Sequence, residues 1–481
     1  MKNVLPACLL MLALFSGHAA MAGQNPEGAP RKLPEGHPAA VAPTVERRPV
    51  PGNSVWTLER LVNEAVTLNP ETLSKRASLE AAEATADAAL QKFFPTPYAQ
   101  LQQVGSNGSG SYADRRVGVL GISQPIWTGG KLTAELNTAR SSASSAGYSV
   151  TETQLSLANR VVNAYQGLAQ YQGRIRAQEE SILLLEKYAA TIERRVTSGV
   201  SAPSDQEQLN SRLSLARSEL TTYSADQRAI LAQMSQLVGR PLAAGDIAYD
   251  HPAWPAELPD PDALIEQALR VNPTLHRLQA DLKTVEHQEE QQRAALMPTL
   301  GVKAEHRDDA FLQSGKDEYG AQNLVYLSLD FSPGAGLSSL ANIEAAKAKT
   351  RGAQQAGEAY RRELAARIQG DYTDYQSSST RRRLLEQNVR TSKAVLESYN
   401  RLFAVGKRSW LDVLNAAREL TQGELAVADT LALSQASAYR LRLHAGDTEW
   451  LRQRQGSDSA PEDGLAPERE SAPAQGEQHG E

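Results

Sequence analysis

Residues 399–420, YNRLFAVGKRSWLDVLNAAREL, carry two helical patterns that meet at Gly406-Lys407-Arg408-Ser409, and the same junction occurs 207 residues earlier. There the chain reads Ser198-Gly199-Val200-Ser201-Ala202-Pro203-Ser204-Asp205, so that Gly199 answers to Gly406 and Asp205 to Asp412. A glycine just past the last apolar position supplies the backbone freedom that a helix C-terminus needs. A small hydroxyl or acidic residue then begins the returning helix. Ser204 or Asp205, following Pro203, is expected to cap in the first copy and Ser409 in the second. The correspondence extends outward. Ile126-Trp127-Thr128-Gly129-Gly130 returns as Asp330-Phe331-Ser332-Pro333-Gly334 at an offset of 204, and Pro95-Thr96 and Asn69-Pro70 return as Pro298-Thr299 and Asn272-Pro273 at 203. So small a drift indicates duplicated architecture: a first repeat over 54–250 and a second over 251–450.

Between these markers the helical segments are long. Lys131 to Thr197 has no proline and only Gly147, Gly167 and Gly173 as glycines, which allows one helix of roughly 100 Å at 1.5 Å per residue. The second copy, about 337–404, is equally free of proline, and shorter helices are expected to return over 204–237 and 409–446. Ile182, Leu185, Ala189, Ile192 and Val196 step alternately by three and four. Leu209, Leu213, Ala216 and Leu220 do the same, as do Leu385, Val389, Ser392, Leu396, Tyr399 and Phe403. A seam of this period holds adjacent helices in knobs-into-holes packing. The remaining faces are Ala, Ser, Gln and charge, which suits a narrow seam with water on both sides.

Each repeat also holds two short stretches of strand character, about 96–104 and 117–127, then 299–307 and 324–332. The first pair flanks Ser106-Asn107-Gly108-Ser109-Gly110-Ser111, and the second flanks a loop with Asp308-Asp309 and Ser314-Gly315-Lys316-Asp317. Val325, Leu327, Leu329 and Phe331 alternate with Tyr326, Ser328 and Asp330, and Leu300, Val302 and Ala304 with Gly301, Lys303 and Glu305. Alternation is poor in 117–127. Strands near ten residues with one apolar and one polar face fit a membrane barrel, whose lipid side is apolar and whose lumen is wet. Four strands cannot close a barrel, since the smallest single-chain ones need eight. Either the strands form a small soluble sheet or several chains pool them. The aromatics Trp127 and Phe331, at the strand-to-helix junctions, are candidates for the membrane interface, where one end of a ring is apolar and the other wet.

The chain has 481 residues and a formal net charge of −6. Residues 1–22 read as a secretory signal peptide, with Lys2, an apolar run from Leu9 to Phe15 and Ala20-Met21-Ala22 as the cleavage site. The sole cysteine, Cys8, lies inside it. An exported chain without disulfides points to the bacterial envelope. Residues 23–53 are Pro-rich, and 455–481 hold seven acids against one arginine; both are expected to be disordered. The tail accounts for the whole net charge, so the folded part is near neutral and offers no case for nucleic acid. Chemistry-bearing patterns are absent too. Gly129-Gly130-Lys131 lacks the glycine spacing of a phosphate loop, and His287 with Glu289 and Glu290 lacks the second histidine of a zinc helix. Asp371 with Asp374 reads as a solvated face, and Arg381-Arg382-Arg383 as surface charge. Neither an enzyme nor a cofactor nor a metal is expected.

Signal peptide, duplicated halves, two strands per half and paired long helices resemble the TolC family of outer membrane channel proteins. The likeness covers roughly Trp56 to Asp447, and its most specific part is Gly406-Lys407-Arg408-Ser409 through Asp412-Val413-Leu414, with Gly199 to Asp205 as its first-repeat counterpart. The resemblance implies a mainly α fold with a membrane β-barrel part. Three chains would donate four strands each to a twelve-stranded barrel, continued by a long α-helical coiled-coil tunnel in the periplasm. It also implies a homotrimer in outer membrane lipid, docked on a periplasmic adaptor protein and an inner membrane transporter, of ABC type for the export route expected here. The turns at Gly199 and Gly406 would form the periplasmic tip. By the same resemblance Arg408 would tie to Ser204 and Asp205 to hold the entrance shut, with Asp412 lining it. Asn415 stands where a second acid can occur and Phe403 where a tyrosine can, so fewer polar ties and a weaker negative ring are expected. The segments 196–220 and 332–342 resemble the branch that exports adhesins by type I secretion. Small-molecule efflux is the alternative, and a soluble periplasmic coiled-coil scaffold is the alternative of another class.

Overall fold

The computed structural model describes residues 55–104, 115–249, 259–308, 322–332 and 338–446. The expected signal peptide, the Pro-rich start, the acidic tail, the loops at 106–111 and 309–317, and Pro333 with Gly334 lie outside the described residues.

The first two helices among the described residues are α1 (Leu58–Leu68) and α2 (Pro70–Gln91), joined at a single residue. Asn69 ends α1 and caps α2, its side chain accepting the Glu71 N–H at 2.9 Å, while Pro70 begins the next helix. Proline suits that first position because its missing N–H would have no helical partner there. The second repeat builds the same joint between α5 (Pro261–Val271) and α6 (Pro273–Ala294), where Asn272 accepts from the N–H groups of Thr274 and Leu275. The repeated Asn-Pro is therefore a helix-to-helix connector.

Four strands follow the two helix pairs: β1 (Thr96–Val104), β2 (Arg115–Trp127), β3 (Thr299–Asp308) and β4 (Gln322–Asp330). They form one antiparallel sheet in the order β1-β2-β3-β4, so the two halves meet at β2–β3 and the sheet has two unpaired edges. Register sorts the faces. Leu120 sits opposite Ala99 and His306, Ile122 opposite Pro97 and Ala304, and Val302 opposite Leu327. This apolar face is uncovered, with Val325 76 % and Leu327 68 % exposed. The other face is polar. Tyr98 lies flat across Gly121, where a Cβ would stand 2.5 Å from its ring, and its hydroxyl donates to Glu305 at 2.5 Å across the intervening strand. Tyr326 donates to the same carboxylate at 2.7 Å.

The sheet leads into helices of 67 residues, α3 (Lys131–Thr197) and α7 (Ser338–Ala404), each turning back into a shorter one, α4 (Pro203–Val238) and α8 (Trp410–His444). The helices pack in the row α4, α3, α8, α7. Their low-period seams bury Ile182, Ile192, Leu209, Leu396 and Val413 toward the far end. Nearer the sheet, α1 packs Leu61 and Val62 against Leu157, Val161 and Leu168 of α3 and Met234 of α4. In the second half, Leu264 and Ala268 of α5 meet Leu364 and Ile368 of α7 and Leu441 of α8. A buried ion pair crosses this region, Arg440 Nε donating to Asp371 at 2.6 Å. Asp371 is thus not the solvated residue its helical spacing with Asp374 suggests, because its partner comes from another helix. His444 lies 3.7 Å from the same carboxylate, and burial pushes its imidazole below the ordinary value.

Candidate functional site

At the end of the helices away from the sheet, the two turns share one hydrogen-bond pattern. Val200 N–H donates to Arg195 O at 2.8 Å and Gly199 N–H to Val196 O at 3.0 Å. Lys407 N–H donates to Leu402 O at 2.8 Å and Gly406 N–H to Phe403 O at 3.0 Å. Both glycines are left-handed, with φ of 70° and 74°, a conformation costly to any residue with a Cβ. Val200 and Val405, one on each apex, point into solvent.

The returning helices start differently. Ser409 caps α8, accepting the Asp412 N–H at 3.2 Å, while Asp412 Oδ2 accepts the Ser409 N–H at 3.2 Å. These contacts, with the hydroxyl foremost and Arg408 adding to them, hold the Asp412 carboxyl below the usual range. In the first turn the cap is Ala202, and neither Ser204 nor Asp205 fills that role. Pro203 takes the first helical position, which moves the cap one residue before it and leaves Ser204 and Asp205 inside the first turn.

The expected clamp is not formed within one chain. Arg408 lies 3.7 Å from Asp412 and 4.6 Å over the ring of Tyr399, both of its own repeat. Ser204 is exposed on α4. Asp412 and Asn415, three residues apart, share one side of the start of α8, with Asn415 exposed. Phe403 does not face solvent: its ring meets Trp410 at 5.4 Å and lies under the Arg195 guanidinium at 4.6 Å.

Three contributors to this tip were not read from the sequence. Trp410 is only 5 % exposed and makes an edge contact of 5.4 Å with Tyr188 of α3. Arg195 of α3 also donates from Nε to the Ser201 hydroxyl at 3.2 Å. Tyr188, Arg195, Phe403 and Trp410 thus join the two repeats through aromatic packing. The seven-residue spacing of Phe403 and Trp410 was the available signal.

At the opposite end, Trp127 and Phe331 are both exposed where strands give way to helix. Phe93, Phe94 and Met297, also exposed, stand just before β1 and β3 at the same end of the sheet. Among the described residues no group of His, Cys, Asp and Glu is placed to hold a metal. His287 pairs with Glu290 on its own helix at 2.9 Å.

The family model for the outer membrane efflux protein matches residues 61–240 and 264–447. Alkaline protease secretion protein AprF of Pseudomonas aeruginosa is 26 % identical over 307 residues, covering 60 % of this chain and 60 % of that relative's length. The fold is similar to that of the outer-membrane channel OprN, with a TM-score of 0.69 and 19 % identity over 81 % of this chain and 89 % of that one. It is similar as well to the outer membrane protein VceC of Vibrio cholerae, with a TM-score of 0.70 and 16 % identity over 81 % and 96 %.

Proposed function

The chain belongs to the outer membrane efflux protein family, and from that membership we propose that three copies form the outer membrane conduit of a type I secretion machine whose cargo is a protein. Members of this family are trimeric, non-enzymatic channels that work with adaptor proteins and inner membrane transporters, and the helices of this chain lie in the periplasm. The observation that carries the cargo assignment is the likeness to a protein named for alkaline protease secretion. An ABC-type transporter is the inner membrane partner of such a route, and a large adhesin is the cargo expected from 196–220 and 332–342. The open-edged sheet, with an apolar face exposed and a polar face opposite, supports the pooling of twelve strands in lipid.

The test is the exported proteome of a deletion strain beside its parent. Loss of one very large surface protein, with its cellular pool retained, supports adhesin export. Loss of a smaller soluble protein keeps protein secretion and removes the adhesin. An unchanged exported proteome moves the assignment to small-molecule efflux.

The gate in this reading is a contact between copies. Since α4 and α7 are the outer helices of the row α4, α3, α8, α7, ring closure brings the α4 of one copy beside the α7 of the next. Ser204 and Asp205 at the start of α4 then approach Arg408 in the turn between α7 and α8, which they do not reach within one chain. Exposed pairs contribute about 0 to 1 kcal/mol each, and threefold repetition biases a nearly balanced equilibrium by a few kcal/mol at most. Single-channel conductance of Arg408→Ala in planar bilayers is expected to rise; an unchanged value removes the clamp.

A further inference from the structure

The shorter helices α4 and α8 end alike, on the left-handed glycines Gly239 and Gly446, with φ of 76° and 73°. Two residues before each glycine a side chain is buried, but its chemistry differs between the repeats. In the first it is Leu237, 3 % exposed among apolar residues of α1 and α3. In the second it is His444, whose side chain is 4 % exposed. The long helix changes with it: Asp371 of α7 stands where the first repeat has the buried Ala164 of α3. The end of α8 is held by α5, where Gln267 donates to Ala445 O at 2.7 Å and Leu264 and Ala268 pack on Leu441.

Asp371 is already engaged. Arg440 Nε donates to its Oδ1 at 2.6 Å, and the same guanidinium donates to Gln166 of α3 at 3.2 Å. His444 Nε2 lies 3.7 Å from Oδ2, too far for a hydrogen bond, and Nδ1 is buried without a partner. A neutral imidazole carries one N–H and an imidazolium two, so a proton taken up here leaves a buried donor with no acceptor. The surroundings add to that cost. Burial is the largest influence and lowers the imidazole, Asp371 acts against it, and Arg367 of α7 and Arg440 reinforce it. The ring stands between two clefts of about 600 Å³ each. Across one, Glu152 of α3 is held by Arg277, and Arg160 of α3 and Tyr360 of α7 stand beside it. Across the other are Arg76 of α2 and His276 of α6, the latter stacked on Tyr148 of α3 at 5.3 Å, while Asn63 and Thr67 of α1 and Val271 of α5 bring no charge.

We propose that His444 is an acid-operated latch: proton uptake by its imidazole loosens the end of α8 from α5 and from the Asn272 joint, in the second repeat alone. The neutral ring fits the buried site and the charged ring does not, because Arg440 holds the only adjacent carboxylate and Nδ1 has nowhere to donate. Loosening turns Nδ1 toward water in the flanking clefts, which supplies the missing acceptor. The first repeat, with Leu237 at the equivalent place, has no such group to charge. The sign follows from linkage. The folded imidazole is depressed, so the loosened state binds the proton more tightly, and stability falls as pH falls through the ordinary imidazole range.

The experiment is hydrogen exchange on the purified full-length trimer, with each segment's protection taken relative to an unstructured peptide at the same pH. Protection over 264–275 and 438–446 is expected to fall by up to about tenfold between about pH 7.5 and about pH 5.5, the limit for one proton and a loosened-state imidazole near about 6.5. Protection over 61–69 and 234–239, the corresponding joint of the first repeat, is expected to hold across the same range. His444→Leu, which places the first repeat's residue at the equivalent position, is expected to abolish the fall while keeping the protection seen at neutral pH. No fall in the parent, or a fall of equal size in both repeats, overturns the proposal. So does a fall that persists in His444→Leu, since it then belongs to another group such as His276. The comparison of the two repeats is made within the parent molecule, and it decides the matter even where His444→Leu fails to assemble.

Discussion

Leu327→Arg is expected to leave almost no heat-resistant trimer in the outer membrane, whereas Ser328→Arg, its neighbour on the same strand, is expected to assemble. Leu327 is 68 % exposed and flanked on its face by Val325 and Leu329, both uncovered. Ser328 lies on the other face, opposite Gly301. An arginine on the lipid side of a barrel costs about 2–4 kcal/mol at the bilayer midplane and far less toward the lumen. Threefold assembly repeats the cost, giving about 6–12 kcal/mol per trimer against a net stability that is itself small. The contrast between adjacent residues is what matters, since either change adds the same charge to the same strand. If both variants assemble alike, the apolar face is not in lipid. A soluble periplasmic scaffold predicts the reverse for Leu327→Arg, because a charge on an uncovered apolar face raises solubility.

The fold was legible where a single period controls the local structure. Absence of proline over 131–197 and 338–404 leaves nothing to break the helices, and strict alternation in Val325 to Phe331 sets one face of β4 outward. It was illegible in β2, where Gly118, Gly121 and Pro125 interrupt the pattern and a register irregularity lies between Pro125 and Trp127. Gly121 is explained only by Tyr98, which lies over it from another strand. Long-range partners set the other limit. Asp371 is read as solvated from its own helix, and only the fold brings Arg440 to it, 69 residues on. Charge at the tip could be inventoried from sequence, but which side chains are buried there could not. Arg408 carries the family motif and is exposed, whereas Trp410, two residues later, is buried.

That contrast ranks the tip residues by expected effect. Trp410→Ala is expected to lower the thermal midpoint of the purified trimer and to raise single-channel conductance by more than Arg408→Ala does. Trp410 begins α8 and is held between Phe403 at 5.4 Å and Tyr188 at 5.4 Å, the latter from the other repeat. Truncating a buried tryptophan costs about 3–5 kcal/mol, including the cavity left behind, while an exposed ion pair contributes about 0–1 kcal/mol. The loss falls at the end of the aliphatic seam in which Ile192 and Val413 are buried, so the truncation opens a gap in the packing between the repeats. Phe403 then loses its ring contact with Trp410 and keeps Arg195, a contact worth about 0.5–1 kcal/mol at an exposed site. Trp410→Phe, which retains ring volume, is expected to recover most of the midpoint and most of the low conductance. If Trp410→Ala lowers the midpoint while conductance stays at the parent value, the aromatic cluster braces the helix ends without controlling the passage, and the gate must be sought in contacts between copies.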